Sequence, residues 1–193
     1  MIKLGITGGI GSGKTVVSDL LQICRIPVYI ADVESKILTN TSSVIREKLI
    51  ELFGNDIYNG FQLNKSLLAS YSFNDKEKLQ AVNNIIHPEV YKHFQKWCID
   101  NNNCKIVAME SAILFESGFN KYVDKVIMVY TPLEIRIKRV MERDSISRDK
   151  VLERIKNQMP DKNKAEQSDF VIVNDNTESL ILQVQKILKQ LKF

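Results

Sequence analysis

The sequence has few of the features that mark membrane, secreted or zinc-binding proteins. It contains no run of about 18 apolar residues, which argues against a membrane-spanning helix. Its three cysteines are an odd number without the spacing of metal ligands, and its two histidines form no cluster with them. We therefore expect free thiols in a reducing cytoplasm, and any metal to be Mg²⁺ carried in with a nucleotide.

Charge of one sign is not in large excess either. The 193 residues carry a formal net charge of +4, which suits polyanionic small ligands and does not by itself indicate nucleic acid. With 44% hydrophobic residues, the chain can build a core of normal size. We expect one compact α/β domain that acts as a monomer and has neither a nucleic acid nor a membrane as its partner.

One glycine-rich segment stands out, and it reads Gly8-Gly9-Ile10-Gly11-Ser12-Gly13-Lys14-Thr15. It fits the phosphate-binding P-loop pattern G-x-x-x-x-G-K-[ST]. Glycines let consecutive N–H groups surround an anion, Lys14 adds positive charge for the β- and γ-phosphates, and Thr15 offers a hydroxyl to Mg²⁺. The alternative is a chance glycine-rich turn, which the apolar stretch before it and the helical pattern after it disfavour. The segment predicts a nucleotide site. Because it begins at the eighth residue, we expect no signal peptide before it.

Strand-like and helical patterns alternate along the chain. Apolar runs typical of buried strands lie at 3–7, 27–31, 106–109, 126–129 and 170–173. Helical patterns lie at 15–24, 44–53, 76–99, 132–143, 148–158 and 177–191. This alternation predicts an α/β fold with a five-stranded, doubly wound parallel sheet.

Two stretches interrupt the alternation. The long one, from about 33 to 103, has a helical pattern throughout and no strand, which predicts an inserted helical lobe. The shorter one, about 141–164, is dense in charge and predicts either a solvated helical hairpin or a mobile lid over phosphates. The expected division is a core of 1–32, 104–140 and 165–193, with the lobe and the lid between its parts.

Carboxylates follow two of the predicted strands. Asp32 comes after the second strand, where it is either a base that accepts a proton from an attacking hydroxyl or the N-cap of the next helix. Glu110 closes the third strand at the usual place of an outer Mg²⁺ partner, although Asp is the usual residue there. Glu116 lies slightly beyond, near the same sheet edge. Their positions fit the rule that ligands bind beyond the carboxyl ends of parallel strands.

Three arginines fall at helical spacing. Arg136, Arg139 and Arg143 share one helix face, so they repel one another unless an anion lies among them. The alternative is a solvated basic face paired with nearby carboxylates. Asn174 follows the last strand, either near an adenine ring or simply in a turn.

One histidine stands in an unusual context. His87 precedes Pro88 inside the predicted lobe, and Pro88 is expected to break or start a helix there. A lone histidine of this kind is more often structural than catalytic.

Taken together, these segments resemble the dephospho-coenzyme A kinase family over nearly the whole chain. The resemblance rests on the following stretches: Thr7 to Thr15, Ala31-Asp32, Asn84 to Val90 with its His-Pro pair, Ile113-Leu114-Phe115-Glu116, Arg139 to Asp144 with Arg154 and Gln158, and Ser168 to Asn174. The family usually has Pro at Ala112, Gln at Arg136 and often Arg at Lys65. Because Arg136 departs from the family pattern, the resemblance implies no role for this residue.

The resemblance implies a three-layer P-loop kinase fold and transfer of the ATP γ-phosphate to the ribose 3′-hydroxyl of dephospho-coenzyme A. It implies Asp32 as the base, with Lys14 and Arg139 beside the transferred group. It implies acceptor binding by Asp32, Lys65, His87 and Glu116. The P-loop pattern predicts Thr15 as a ligand of Mg²⁺, and the position of Glu110 after its strand predicts an outer partner of the same ion. ATP binding is implied for Gly8, Gly9, Gly11, Ser12, Gly13, Lys14, Thr15, Val16 and Asn174.

Two other functions compete with this one. A different small P-loop kinase would act on a nucleoside monophosphate or a small alcohol, but the His-Pro lobe and Asp32 argue against it. A nucleotide switch should carry the guanine-reading pattern Asn-Lys-x-Asp. The nearest string, Asn163-Lys164-Ala165-Glu166, has Glu in place of the Asp.

Overall fold

The computed structural model describes residues 1–72 and 75–192. The chain forms two compact units, one made of Met1–Ile30 with the chain from Asp100 onward, and the other of Ala31–Ile99. In chain order the elements are β1 (Ile2–Thr7), α1 (Lys14–Ile23), β2 (Val28–Ile30), α2 (Ala31–Thr41), α3 (Ser43–Phe53), β3 (Tyr58–Asn59), β4 (Gln62–Leu63), α4 (Lys65–Ser72), α5 (Lys76–Asp100), β5 (Ile106–Glu110), β6 (Lys125–Tyr130), α6 (Leu133–Asp144), α7 (Arg148–Lys156), α8 (Asp161–Glu166), β7 (Phe170–Val173) and α9 (Leu180–Gln190).

The first unit is built on a sheet of five parallel strands. β1 lies at the centre between β5 and β6, and the full order is β2-β5-β1-β6-β7. All residues of β5 are buried, as expected for a parallel strand whose two faces are covered. The predicted α/β fold and its parallel sheet are confirmed. Parallel strands bring their carboxyl ends to one edge, so the polar residues that follow β1, β5, β6 and β7 meet there.

The core of this unit fixes the helix that follows the glycine-rich loop. Val17 and Leu21 lie four residues apart on one face of α1 and are fully buried. They join an apolar cluster with Leu4, Ile6, Ile26, Ile106, Ala108, Ile127, Val129, Ile172, Val184, Ile187 and Leu188. Burial of each large apolar side chain in this cluster stabilises the fold by about 1.5–3 kcal/mol. This packing holds the start of α1 in a fixed position.

The second unit contains a hairpin that the sequence analysis misses. β3 and β4 pair antiparallel across a two-residue turn in which Gly60 has φ 58°. Arg46 donates from Nη1 to the carbonyl oxygen of Gly60 at 2.7 Å, and its guanidinium carbon lies 4.6 Å from the ring centroid of Tyr58. The prediction of a purely helical stretch is wrong because two-residue strands are too short to show an alternating pattern.

The helix α5 runs through Pro88 without a break. The expectation that Pro88 breaks or starts a helix is therefore wrong. Proline removes one N–H donor and so leaves the carbonyl of Asn84 without its helical partner. Asn84 and Pro88 are both exposed, so water can hydrogen-bond that carbonyl.

The charge-dense stretch folds onto the glycine-rich loop within the first unit. Ile137, Val140 and Val151 form a small buried cluster, against which Ile10 of the loop packs. Within the described residues, 1–72 and 75–192, no helix is long and apolar enough to cross a membrane. The apolar contact through Ile10 attaches α6 and α7 directly to the loop.

Candidate active site

The loop between β1 and α1 presents backbone donors around the start of the helix. Gly11 and Gly13 have φ of 79° and 87°, a region that favours glycine, and Gly13 caps α1. The N–H groups of Gly11, Gly13 and Thr15 find no acceptor within the described part of the chain. Lys14 donates from Nζ to the carbonyl oxygens of Gly8 at 3.0 Å and Gly9 at 3.3 Å. This cradle of N–H groups, a lysine and a helix N-terminus fits a polyphosphate.

The residues after β6 and β7 brace the loop from one side. The Thr131 hydroxyl, which has a single proton to donate, lies 2.9 Å from the carbonyl oxygens of both Ser12 and Asn174. Asn174 donates from Nδ2 to the same Ser12 oxygen at 2.8 Å, and a methyl group on Gly13 would overlap that amide. Arg139 donates to Oδ1 of Asn176 at 2.7 Å and lies 3.4 Å from Oδ1 of Asn174. Asn174 and Arg139, both singled out from sequence, thus lie beside Gly13.

Glu110 is bound to the helix that carries Lys14. Ser18, one turn beyond Lys14, donates to Oε2 of Glu110 at 2.6 Å, and both residues are buried. Thr15 is exposed in the first turn of the same helix. The described residues hold no group of three or more His, Cys, Asp or Glu placed for a metal. Hydroxyl and carboxylate oxygens are nevertheless ligands that suit Mg²⁺, which usually keeps several waters and binds substrate phosphates.

Glu116 forms an ion pair with a buried lysine, Lys164, for which the sequence predicts no role. Lys164 is fully buried, and its Nζ donates to the carbonyl oxygen of Ala112 at 2.7 Å and lies 3.0 Å from Oε1 of Glu116. The same carboxylate oxygen accepts the N–H of Met159 at 2.7 Å. Lys164 therefore attaches α8 to the segment after β5.

The three arginines of α6 have different surroundings. Arg136 is only 2% exposed and turns to the backbone of Ile10 and to Asp161. Arg143 hydrogen-bonds to Asp144, whose second oxygen also accepts from Arg154. The hydrogen bonds from Arg143, then those from Arg154, hold the pKa of Asp144 below its usual range, against a weaker opposing effect of burial. Arg143 thus belongs to a paired surface network.

The other predicted residues lie in the second unit. Asp32 is exposed in the first turn of α2, which begins at Ala31, so the N-cap interpretation is wrong. A carboxylate in this first turn is stabilised by the positive end of the helix dipole. Lys65 is exposed at the start of α4. His87 is half-buried in α5, and burial lowers its pKa, which favours the neutral ring at pH 7.

Comparison with known proteins decides the family. The family model described as dephospho-CoA kinase matches residues 2–179. The chain belongs to this family. It is 48% identical over 187 residues to the dephospho-CoA kinase of Bacteroides fragilis, covering 97% of this chain and 91% of that one. The match confirms the resemblance inferred from the sequence, and it favours a dephospho-CoA kinase over the rival small kinase.

Two solved structures resemble this chain along nearly its whole length. A Thermus thermophilus protein has a TM-score of 0.84 at 34% identity, covering 99% of this chain and 96% of that chain. Dephospho-CoA kinase from Campylobacter jejuni has a TM-score of 0.70 at 25% identity, covering 98% and 96%. The chain is thus a kinase that transfers phosphate to an alcohol, with ATP as co-substrate, and its activity is the final step of coenzyme A biosynthesis.

Proposed function

We propose that the glycine-rich loop holds the phosphates of ATP while the ribose 3′-hydroxyl of dephospho-CoA attacks the γ-phosphorus. The observation that carries this proposal is the set of loop N–H groups that find no acceptor among the described residues, with Lys14 held beside them. Donors fixed in advance stabilise developing negative charge without reorganisation. Lys14 and Arg139 neutralise charge on the transferred group. Within the stretch from Gly11 to Val16, the N–H groups of Gly11, Gly13 and Thr15 bind the other phosphates, since those of Ser12 and Val16 donate to the carbonyl oxygens of Gly9 and Gly13.

Mg²⁺ fits the oxygen donors near the loop. We assign the Thr15 hydroxyl as its ligand and Glu110 as an outer partner, oriented by Ser18. Mg²⁺, when bound, neutralises negative charge on the β- and γ-phosphates. Asn174 completes the nucleotide site by holding the Ser12 carbonyl in place.

Asp32 acts as the base in this proposal. Its carboxylate accepts the proton of the 3′-hydroxyl, the oxygen forms a bond to the γ-phosphorus, and the bond to the bridging oxygen breaks to release ADP. Lys65, His87 and Glu116 bind the acceptor. The 141–164 stretch excludes water that would otherwise hydrolyse ATP. We expect the enzyme to work in the cytoplasm as a monomer, without nucleic acid or membrane.

The experiment that tests Asp32 compares Asp32→Asn with Asp56→Asn, a second exposed aspartate of the same unit. General-base catalysis contributes about 10²–10⁴-fold, so Asp32→Asn should lower kcat by about 100-fold or more. Calorimetry should show ATP affinity within twofold of wild type for both variants. A near-normal kcat in Asp32→Asn would remove Asp32 from the role of base.

A further inference from the structure

We propose that Arg136, held by Asp161, is a positioning residue that turns the N–H of Gly11 toward the triphosphate. This inference rests on the proposed phosphate site and adds a residue for which the family pattern gives no role. Arg136 is among the largest fully buried side chains. Burying a guanidinium is costly unless it is paired and hydrogen-bonded, so its partners indicate its purpose.

Among the described residues, Arg136 has partners on the loop and on α8. Its Nε donates to the carbonyl oxygen of Ile10 at 2.9 Å, and its Nη1 pairs with the carboxylate of Asp161. The Asp161 side chain is 26% exposed. The guanidinium lies so close to Gly9 that a methyl group there would overlap it. The ion pair therefore fixes a planar donor group directly under the loop.

The peptide bond between Ile10 and Gly11 transmits this constraint. A trans peptide unit is planar, and its C=O and N–H point in opposite directions; the described residues contain no cis bond. Holding the Ile10 oxygen on Arg136 therefore directs the Gly11 N–H away from Arg136. That N–H is one of those without an acceptor in the described chain, which leaves it available to a phosphate.

The preceding peptide is fixed in the same way. The N–H of Ile10 donates to Oε1 of Gln158 at 2.9 Å, so the Gly9 carbonyl of that unit points away from Gln158. This carbonyl accepts from the N–H of Ser12 at 3.1 Å and from Lys14. The N–H of Ile10 is thus held by Gln158 after α7, and its C=O is held by Arg136 of α6. Neither group can turn toward the loop N–H groups that bind phosphate.

The test measures affinity for inorganic tripolyphosphate and for ATP by calorimetry. Arg136→Met keeps the volume and removes every donor, whereas Arg136→Gln keeps one amide donor. Lys138→Met removes a charge from an exposed position of the same helix and serves as the control. We expect Arg136→Met to weaken both ligands by about tenfold, equivalent to one hydrogen bond of about 1.4 kcal/mol. Arg136→Gln should recover part of this loss, and Lys138→Met should lose none.

Kinetics separate positioning from a general loss of structure. The KM for ATP should rise in Arg136→Met while the KM for dephospho-CoA stays within twofold, because only the phosphate donors change. Asp161→Asn, which leaves Arg136 in place, should give a smaller rise and provides the test if Arg136→Met does not fold. Unchanged tripolyphosphate affinity in the folded variants would overturn the inference.

Lys14→Ala distinguishes this failure from failure of the phosphate site itself. If Lys14→Ala loses affinity for tripolyphosphate and the Arg136 variants do not, only the positioning role is overturned. If neither weakens tripolyphosphate, the loop is not the phosphate site and both proposals are overturned.

Discussion

Replacing Lys164 by methionine probes the buried ion pair that attaches α8 to the segment after β5. Methionine has a similar length and flexibility, so the change removes the charge and the donor while filling the space. Breaking a buried pair by removing one partner costs about 3–5 kcal/mol. The lower end applies, because Glu116 is 23% exposed and keeps the N–H of Met159.

The expected shift is large enough to measure by thermal unfolding. A loss of about 3 kcal/mol in a chain of this size lowers Tm by about 6–12 °C. The matched control is Lys162→Met on the same helix, since Lys162 is 85% exposed and lies 4.0 Å from Glu166. A surface pair contributes about 0–1 kcal/mol, so the control should move Tm by no more than about 4 °C.

Circular dichroism and urea unfolding together give the free energy of unfolding for both variants. The free energy of unfolding of Glu116→Gln should lie between those of Lys164→Met and Lys162→Met. The amide oxygen of the new glutamine can still accept hydrogen bonds from Lys164 and from the N–H of Met159. Equal Tm values for Lys164→Met and Lys162→Met would refute the reasoning, since they would mean that the buried pair contributes nothing.

Three further predictions concern the loop, the charge-dense stretch and the second unit. Gly13→Ala should lower Tm more than Gly54→Ala, because both glycines have φ 87° but only at Gly13 would a methyl overlap a neighbour, the amide of Asn174; equal losses would contradict this. Because the pKa of Asp144 is lowered in the folded protein, its carboxylate stabilises the fold above pH 3.8, the usual value of this pKa, and the stabilisation is lost as pH falls through the folded pKa. The Tm difference between wild type and Asp144→Asn should therefore shrink in strong acid. The lowered pKa of His87 makes the fold lose stability as pH falls from 6.5 through the folded pKa, and a midpoint at or above 6.5 in an NMR titration would contradict this.

The glycine-rich loop and the strands of the parallel sheet can be predicted from patterns within short stretches of the sequence. The glycine-rich loop is a contiguous motif, and its geometry follows from its own residues. The five strands are predicted correctly because buried parallel strands are continuous apolar runs. The rule that polar residues after such strands meet at one edge selected Asp32, Glu110 and Asn174. Applied to β6, the same rule points to Thr131, which the sequence analysis passes over.

The roles of residues that depend on contacts with distant parts of the sequence cannot be predicted from local patterns. The partner of Lys164 lies 48 residues earlier, and nothing in a charged stretch marks one lysine as buried. Arg136 stood out only as a departure from the family pattern, because its contacts with Ile10 and Asp161 depend on how α6 and α8 pack. Ser18 looked like an ordinary helix residue. The hairpin around Gly60 was missed although glycine between two short polar-apolar pairs is a turn signal.

The contact of Ile10 with α6 and α7 has a kinetic consequence. A movement that lifted these helices off the loop would bring Ile10 into water and break its backbone bonds to Gln158 and Arg136. For a half-buried isoleucine the apolar part alone costs about 1.5 kcal/mol, which favours the docked arrangement by roughly tenfold. In the proposed reaction, any release of ADP that requires these helices to lift would carry this free-energy cost within its barrier.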